Sequence, residues 1–555
     1  MKAKLLLFIL LVYFIFLRFQ LGTVRYFNVD EFAHLHWGYS LLAGEKPYTD
    51  FFYLFPPFFL YPVAAIFSLF GRTINAVIAV RLFIFLVFLA NLGLVFLLGK
   101  KLRSIFVGLL AAFIFVILPI PADNMVEVRP DNLATLFSLL GLYLFMLGLE
   151  KKKKQYFFLS GLSFAGSLGF VPKTVFFLIP PLLVLGYRFL INLRVLPLGC
   201  PTPRFKIAPT VPSGLKDSEA RCGMPSLASP AFLLGFIPPL LLLVFLLISY
   251  GKPLFAIYSM MEVSASTTKV LASKFYMRPD IFFYPNATYY GIAGFSSPYI
   301  MNLVIYISAS IFAIVRFISF KDSKEFLLGA SFFTNLFAYV AIFPLKHAQY
   351  LIPIVPFIAF YFADLLESIT NKFLRTHNKT SGFTSFWQAK SRLGASRIRN
   401  GFMDSGQARV TGFDIGSKSL KYLKVVVGVG MLLILALVGS QMYGEKIQLG
   451  NKSTVDKINI MLSTIPAKAS VFDLTGETVF FPDGYYFCCL PYGQYIEGIF
   501  FNIPDLEKDF KRRNTEYVYV GDGGDRLSKI PPYQAKYIKE NFVNLIPDGS
   551  LLIKK

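Results

Sequence analysis

The sequence predicts an α-helical polytopic membrane protein of about eleven spans, with a small α/β domain at its C-terminal end. Three observations carry that expectation. Apolar residues fill 55% of the 555 positions and charged residues only 16%, against roughly 25% charged in soluble domains. Apolar stretches near the ~20 residues needed to cross a bilayer recur up to about residue 443. The segment beyond reads as a different polymer, mixing short β-like runs, amphipathic stretches and turns rich in Gly and Pro.

The first apolar run, Leu5 to Leu17, follows Lys2 and Lys4. No small-residue cleavage site precedes Arg18, so it reads as an uncleaved span rather than a signal peptide. Further spans are expected near 74–99, 105–121, 132–149, 156–171, 174–190, 231–250, 299–317, 326–343, 350–368 and 425–443. The stretch Leu54 to Gly71 is also apolar, but Pro56, Pro57 and Pro62 interrupt a helix. As a span it would put Lys100-Lys101-Leu102-Arg103 and Lys151 to Lys154 outside, whereas short basic loops stay inside. It is therefore expected along the outer interface. The N-terminus is then cytoplasmic, and the basic loops on that side hold nearly all of the net +23. That charge is an orientation signal which also meets anionic lipid heads. No nucleic-acid partner is expected.

These elements divide the chain into a membrane domain, 1–443, and an extracytoplasmic α/β domain, 445–555. Within the first, 23–71 forms an outer loop with its interfacial segment. The stretches 191–229 and 371–424, rich in Pro, Ser, Gly, Arg and Lys, are expected to be disordered cytoplasmic loops. In the second, Ser470 to Phe472 and Glu516 to Val520 read as strands, and Asp505 to Arg513 and Pro532 to Asn541 as helices. Four cysteines show neither a disulfide framework nor zinc-ligand spacing. Cys488-Cys489 read as two buried thiols of a core strand, and Gly521-Asp522-Gly523-Gly524 as a solvated turn. Asn286 and Asn451 stand in outward-facing sequons.

Carboxylates are scarce, so their placement on the outer face is informative. Asp30 and Glu31 open one amphipathic stretch, which continues through His34, His36 and Trp37. Asp50 ends Gly44-Glu45-Lys46-Pro47-Tyr48-Thr49-Asp50. The short second outer loop holds Asp123, Glu127, Arg129 and Asp131. Cations stand on the same face against the orientation trend: Lys173 after Pro172, Arg129, and Lys346 with His347 before Tyr350. Ionisable groups beside lipid are costly and usually functional, although Asp131 after Pro130 also suits a helix N-terminus. An acid that deprotonates a hydroxyl, with cations that hold a departing phosphate, fits sugar transfer from a lipid phosphate. His34 and His36 suit a divalent cation only if their segment is extended, because i and i+2 diverge on a helix. No cofactor is otherwise implied.

The set of motifs resembles the polyprenyl-phosphate-dependent glycosyltransferases, which include protein O-mannosyltransferases and the lipid A aminoarabinose transferase. The resemblance rests on Asp30-Glu31, Gly44 to Asp50, Pro56-Pro57, Leu69-Phe70-Gly71 with Arg81 beyond, Arg129-Pro130-Asp131, Lys173, and Lys346 to Pro353. It implies the C-type glycosyltransferase fold, and Asp30 as catalytic base with Glu31 and Asp131 beside it. Lys173, Lys346, His347, Tyr350, Arg129, Glu127, Asp50 and Tyr48 are the implied substrate-binding positions. The implied partners are a polyprenyl-phosphate-linked sugar donor, an acceptor glycolipid or protein, and membrane lipid. Phe55 departs from the pattern, since some members carry Lys before that proline. Two rival readings are a lipid-linked-sugar transporter and a non-catalytic scaffold. Spans made mostly of Phe, Leu and Ile, with few polar residues such as Asn91, weigh against transport.

Overall fold

A computed structural model gives the fold. It describes residues 2–192, 228–274, 297–320, 322–344, 346–370, 416–489, 496–499, 501–521, 526–528 and 530–555. Most of the two expected cytoplasmic loops, Asn286, and Asp522-Gly523-Gly524 lie outside the described residues.

The membrane domain runs α1 (Lys2–Val24), α2 (Val29–Leu42), a 3-10 turn Pro57–Phe59, α3 (Leu60–Phe70), α4 (Ile74–Leu102), α5 (Ile105–Ile117) and α6 (Pro119–Asp123). There follow α7 (Pro130–Lys151), α8 (Lys154–Phe170), a 3-10 turn Pro172–Phe177, α9 (Ile179–Asn192), α10 (Ala228–Leu234), α11 (Ile237–Ser249), α12 (Pro253–Tyr258) and α13 (Ser264–Lys274). The domain closes with α14 (Ser297–Ile318), α15 (Ser323–Phe337), α16 (355–370) and α17 (Gly416–Gln448). Residues 416–424, expected in a loop, are therefore helical.

Among the described residues, 7 helices are long and apolar enough to cross a membrane. The other expected spans fall on shorter elements: α5, α8, the stretch 172–187 and α16. Pro119 begins a new turn inside the expected span 105–121, and Pro172 begins a 3-10 turn between the expected spans 156–171 and 174–190. The segment 54–71 differs from the expected interrupted helix: the 3-10 turn Pro57–Phe59 runs directly into α3, so Pro56 and Pro57 stand at the helix start and Pro62 lies in the first turn of α3, where a missing amide donor costs nothing. Phe58 lies where a Cβ on Gly169 would meet its ring at 2.2 Å, so this segment packs against the end of α8.

Helices approach closely where side chains are absent or small. A Cβ on Gly161 of α8 would stand 2.0 Å from the Phe232 carbonyl of α10, and one on Gly235 would stand 2.1 Å from the Phe158 carbonyl. Ser138 and Ser167 share a hydrogen bond of 2.7 Å between α7 and α8. Such small residues and hydroxyls hold helices together where lipid removes the hydrophobic drive between them.

The basic loops meet at one end of the bundle. Lys101 and Lys324 both pair with Glu150. Arg103 joins Asp364 at 3.1 Å and Glu325, and Arg316 joins Asp364 at 3.0 Å. Arg81, near the start of α4, lies about 33 Å away by helical rise, at the end that carries the loops 25–28 and 124–129.

The C-terminal domain follows α17 with α18 (Lys452–Thr464), β1 (Ser470–Asp473), α19 (Leu506–Arg513), β2 (Thr515–Tyr519), α20 (Pro532–Asn541), β3 (Phe542–Asn544) and β4 (Leu551–Lys554). The sheet order is β1-β2-β4-β3. β1 runs parallel to β2, and the other pairs are antiparallel. Cys488 and Cys489 are buried but lie outside any strand, and their sulfur atoms sit at bonding distance. This corrects the expectation of two thiols in a core strand.

Gly161→Ala forces a methyl into the Phe232 carbonyl and is expected to cost about 1–3 kcal/mol. Gly186→Ala, which meets nothing within 4 Å, is expected to leave the melting temperature of the detergent-purified protein unchanged.

Candidate active site

Asp30 stands in the first turn of α2. Asn28 caps that helix by accepting from the Asp30 amide, while Glu31 reaches back to the Asn28 amide at 3.0 Å. This capping box fixes how the chain enters the helix, and thereby where Asp30 points.

Behind Asp30 lies a buried ion network. Arg81 of α4 binds Glu31 in fork geometry, at 2.9 Å from Nε and 2.7 Å from Nη2. Arg25 donates from Nη2 to Asp123 and to Glu127, each at 3.1 Å. Lys446, from the last helix of the membrane domain, reaches Asp123 at 2.6 Å. Arg129 pairs with Glu127 through Nε and with Asp30 through Nη1, the latter at 2.8 Å. Groups this buried are stable only when paired, and here every described acid has a basic partner.

Asp30 is the exception in access. Its side chain is 34% exposed, whereas those of Glu31 and Glu127 are 0% exposed. Burial opposes ionisation of Asp30, but Arg129, His347 and His34 outweigh it and hold the carboxyl below the usual carboxylate range. Asp30 is thus a carboxylate that can meet an incoming group.

The remaining groups complete one rim. Lys173 pairs with Asp131, and its ammonium lies 4.2 Å from the centre of the Tyr350 ring. The His347 ring stands 6.2 Å from that of Tyr350. Burial pushes His347 down to about 4 despite the pull of Asp30, so its imidazole is neutral near pH 7. The structure therefore brings together Asp30, Arg129, Asp131, Lys173, His347 and Tyr350.

Other expected residues take different places. Glu31 accepts from Arg81, from the Asn28 amide and from the Val128 amide at 3.1 Å; it positions α2 and is closed to substrate. Glu127 likewise faces Arg25, Asn28 and Arg129. Lys346 turns back on its own helix, donating to the carbonyls of Val340 at 2.9 Å and Phe343 at 2.6 Å. It caps a helix end instead of facing Asp30. Tyr48 and Asp50 lie beneath the C-terminal domain: Tyr486 donates to the Tyr48 carbonyl at 3.0 Å, and Arg513 donates to the Asp50 carbonyl. His34 and His36 sit on a helix, where they diverge, and His36 pairs with Asp483.

Sequence reasoning missed Arg25 and Lys446. Arg25 was visible as a cation at the start of an acidic outer loop. Lys446 gave no local signal, because its partner lies 323 residues away.

Residues 55–197 match the family model described as dolichyl-phosphate-mannose-protein mannosyltransferase. The structure is similar to that of ArnT from Cupriavidus metallidurans bound to undecaprenyl phosphate, at 11% identity and a TM-score of 0.55, covering 100% of this chain and 98% of that one. It is also similar to the archaeal oligosaccharyltransferase AglB from Archaeoglobus fulgidus in complex with an inhibitory peptide and a dolichol-phosphate, at 11% identity and a TM-score of 0.50, covering 100% and 74%. No curated protein sequence matches. The fold is the C-type glycosyltransferase fold that these structures share, in an integral membrane protein whose residues 55–197 are similar to that family model.

Arg81→Met leaves buried Glu31 with only the long 4.0 Å ion pair to Arg25, and is expected to destabilise the protein by about 3–5 kcal/mol. The double variant Arg81→Met/Glu31→Gln is expected to recover part of that loss. Thermal melting with size-exclusion profiles measures both.

Proposed function

With this fold and family likeness as premise, we propose that the protein transfers a sugar from a polyprenyl-phosphate donor to an acceptor hydroxyl with inversion at the anomeric carbon. The acceptor is a glycolipid, a lipopolysaccharide or a protein, and the reaction takes place at the extracytoplasmic face. One observation carries the reading: Asp30 is an accessible carboxylate within an otherwise sealed network of paired charges, next to a second set of cationic and neutral donors.

In this mechanism Asp30 takes the proton of the acceptor hydroxyl. The acceptor oxygen bonds to the anomeric carbon while the bond from that carbon to the phosphate oxygen breaks. The electron pair stays with the lipid phosphate. Arg129 holds Asp30 by one oxygen and orients it. Lys173, set over Tyr350 and held by Asp131, meets the phosphate, and neutral His347 offers a hydrogen bond. Fixed donors aimed where charge develops stabilise such a departure. The small C-terminal domain covers the outer loop beside α2 and shapes the acceptor side.

Asp30→Asn is expected to lower transfer from a lipid-linked sugar about 10²–10⁴-fold in membranes with unchanged protein content. Lys346→Met is expected to stay near wild type in the same assay. Full activity of Asp30→Asn would remove the assignment. Because Asp30 titrates below the ordinary carboxylate range, the rate is expected to fall only as pH drops beneath that range. Arg129→Gln is expected to move this acid limb upward, and a pH–rate profile reads both positions.

A further inference from the structure

A second cluster lies two turns further along α2, where the helix meets the C-terminal domain. Its parts come from chain segments hundreds of residues apart. His36 Nε2 stands 2.8 Å from Asp483 Oδ1, and the two residues are separated by 447 positions. Ligand atoms of His36, Asp483, Cys488 and Cys489 all lie within 4.8 Å of one another, and all four residues are buried. None of them belongs to the acid network around Asp30.

The surroundings favour a cation. Glu45 and Asp483 share a hydrogen bond, so two carboxyl groups crowd one site. Asp473 adds a further negative charge to the field at His36. Against these acids stands Arg513, which is also engaged with Asp509 and the Asp483 carbonyl. Two polar atoms have no hydrogen-bond partner here although fully buried: His36 Nδ1 and Glu45 Oε2. A buried unpartnered nitrogen on a ring already oriented by a carboxylate is the usual arrangement of a metal-ligating histidine. Sulfur, imidazole and carboxylate together suit zinc and its neighbours better than calcium or magnesium.

We propose that His36, Asp483, Cys488 and Cys489 form, in the reduced chain, a binding site for one divalent cation of the zinc class, which clasps the C-terminal domain to α2. The cysteine sulfurs sit at bonding distance, so the site opens on reduction. A dithiol reductant supplies two electrons and two protons and becomes a disulfide, and Cys488 and Cys489 become thiols. Metal binding then releases the two thiol protons. Asp483 either ligates directly or holds the His36 ring, and both arrangements tie the same two elements together.

The test uses the full chain in detergent with Cys200→Ser and Cys222→Ser, which leaves Cys488 and Cys489 as its cysteines. After reduction by a dithiol and its anaerobic removal, the protein is titrated with Co²⁺. The expected result is one Co²⁺ per chain, with sulfur-to-cobalt absorption in the near ultraviolet and tetrahedral bands in the visible, both lost on adding Zn²⁺. Cys488→Ser/Cys489→Ser is expected to abolish the near-ultraviolet band, and His36→Gln to weaken binding at least tenfold. In case those variants misfold, Zn²⁺ is also expected to slow alkylation of Cys488 and Cys489 in the parent chain. Absence of the sulfur-to-cobalt band in reduced parent chain, or equal alkylation with and without Zn²⁺, overturns the proposal. These readouts are independent of sugar transfer.

Discussion

Arginine pairing with buried carboxylates is the constraint on which the Asp30 end of this protein depends. Arg81 fixes Glu31, Arg25 bridges Asp123 and Glu127, and Arg129 links Glu127 to Asp30. The pairs join the residue after α1 with α2, α4, α6 and the loop 124–129. Unpaired, any of these charges would cost several kcal/mol in such surroundings. The helices must therefore meet in one arrangement, and Asp30 inherits its position from it. Within the network Glu31 and Glu127 are sealed and Asp30 is exposed, so rigidity behind the site and access in front of it are separate properties.

Much of this was legible because membrane sequences use charge sparingly. Asp30-Glu31 and Arg129-Pro130-Asp131 stand out against apolar surroundings, and each sits at a helix start. The prolines at 56, 57 and 62 announced a break in the helix, and the structure places them at a helix start instead. The direction in which a long side chain turns was not legible. Lys346 and Lys173 both follow or approach prolines on the outer side, yet one caps carbonyls and the other meets Asp131 and Tyr350. Tyr48 and Asp50 lie in the same stretch 23–71 as Asp30, but their fate depends on a domain more than 430 residues later in the chain. No local pattern encodes that contact.

The C-terminal domain docks on α2 and on the loop after it through several independent bonds. The Phe52 amide donates to the Tyr486 carbonyl at 2.8 Å, Arg513 reaches the Asp50 carbonyl, and His36 meets Asp483. Aromatic contacts such as Phe52 with Phe487, at 4.6 Å between ring centres, fill the space between. Helix α2 is thus held from two sides. Arginine pairs grip its first turn, and the sheet domain grips its second and third. A change in either grip reaches Asp30 through a single rigid helix.

The bond from Lys446 to Asp123 has a bearing on how the molecule is made. Arg25, Arg81 and Arg129 are synthesised within the same early stretch as Asp30, Glu31, Asp123 and Glu127, with which they pair. Lys446 is a second cation on Asp123 beside Arg25, and it leaves the ribosome 323 residues after Asp123. A nascent chain that stops short of α17 holds Asp123 by Arg25 alone. The charge network is therefore complete only once α17 has joined the bundle.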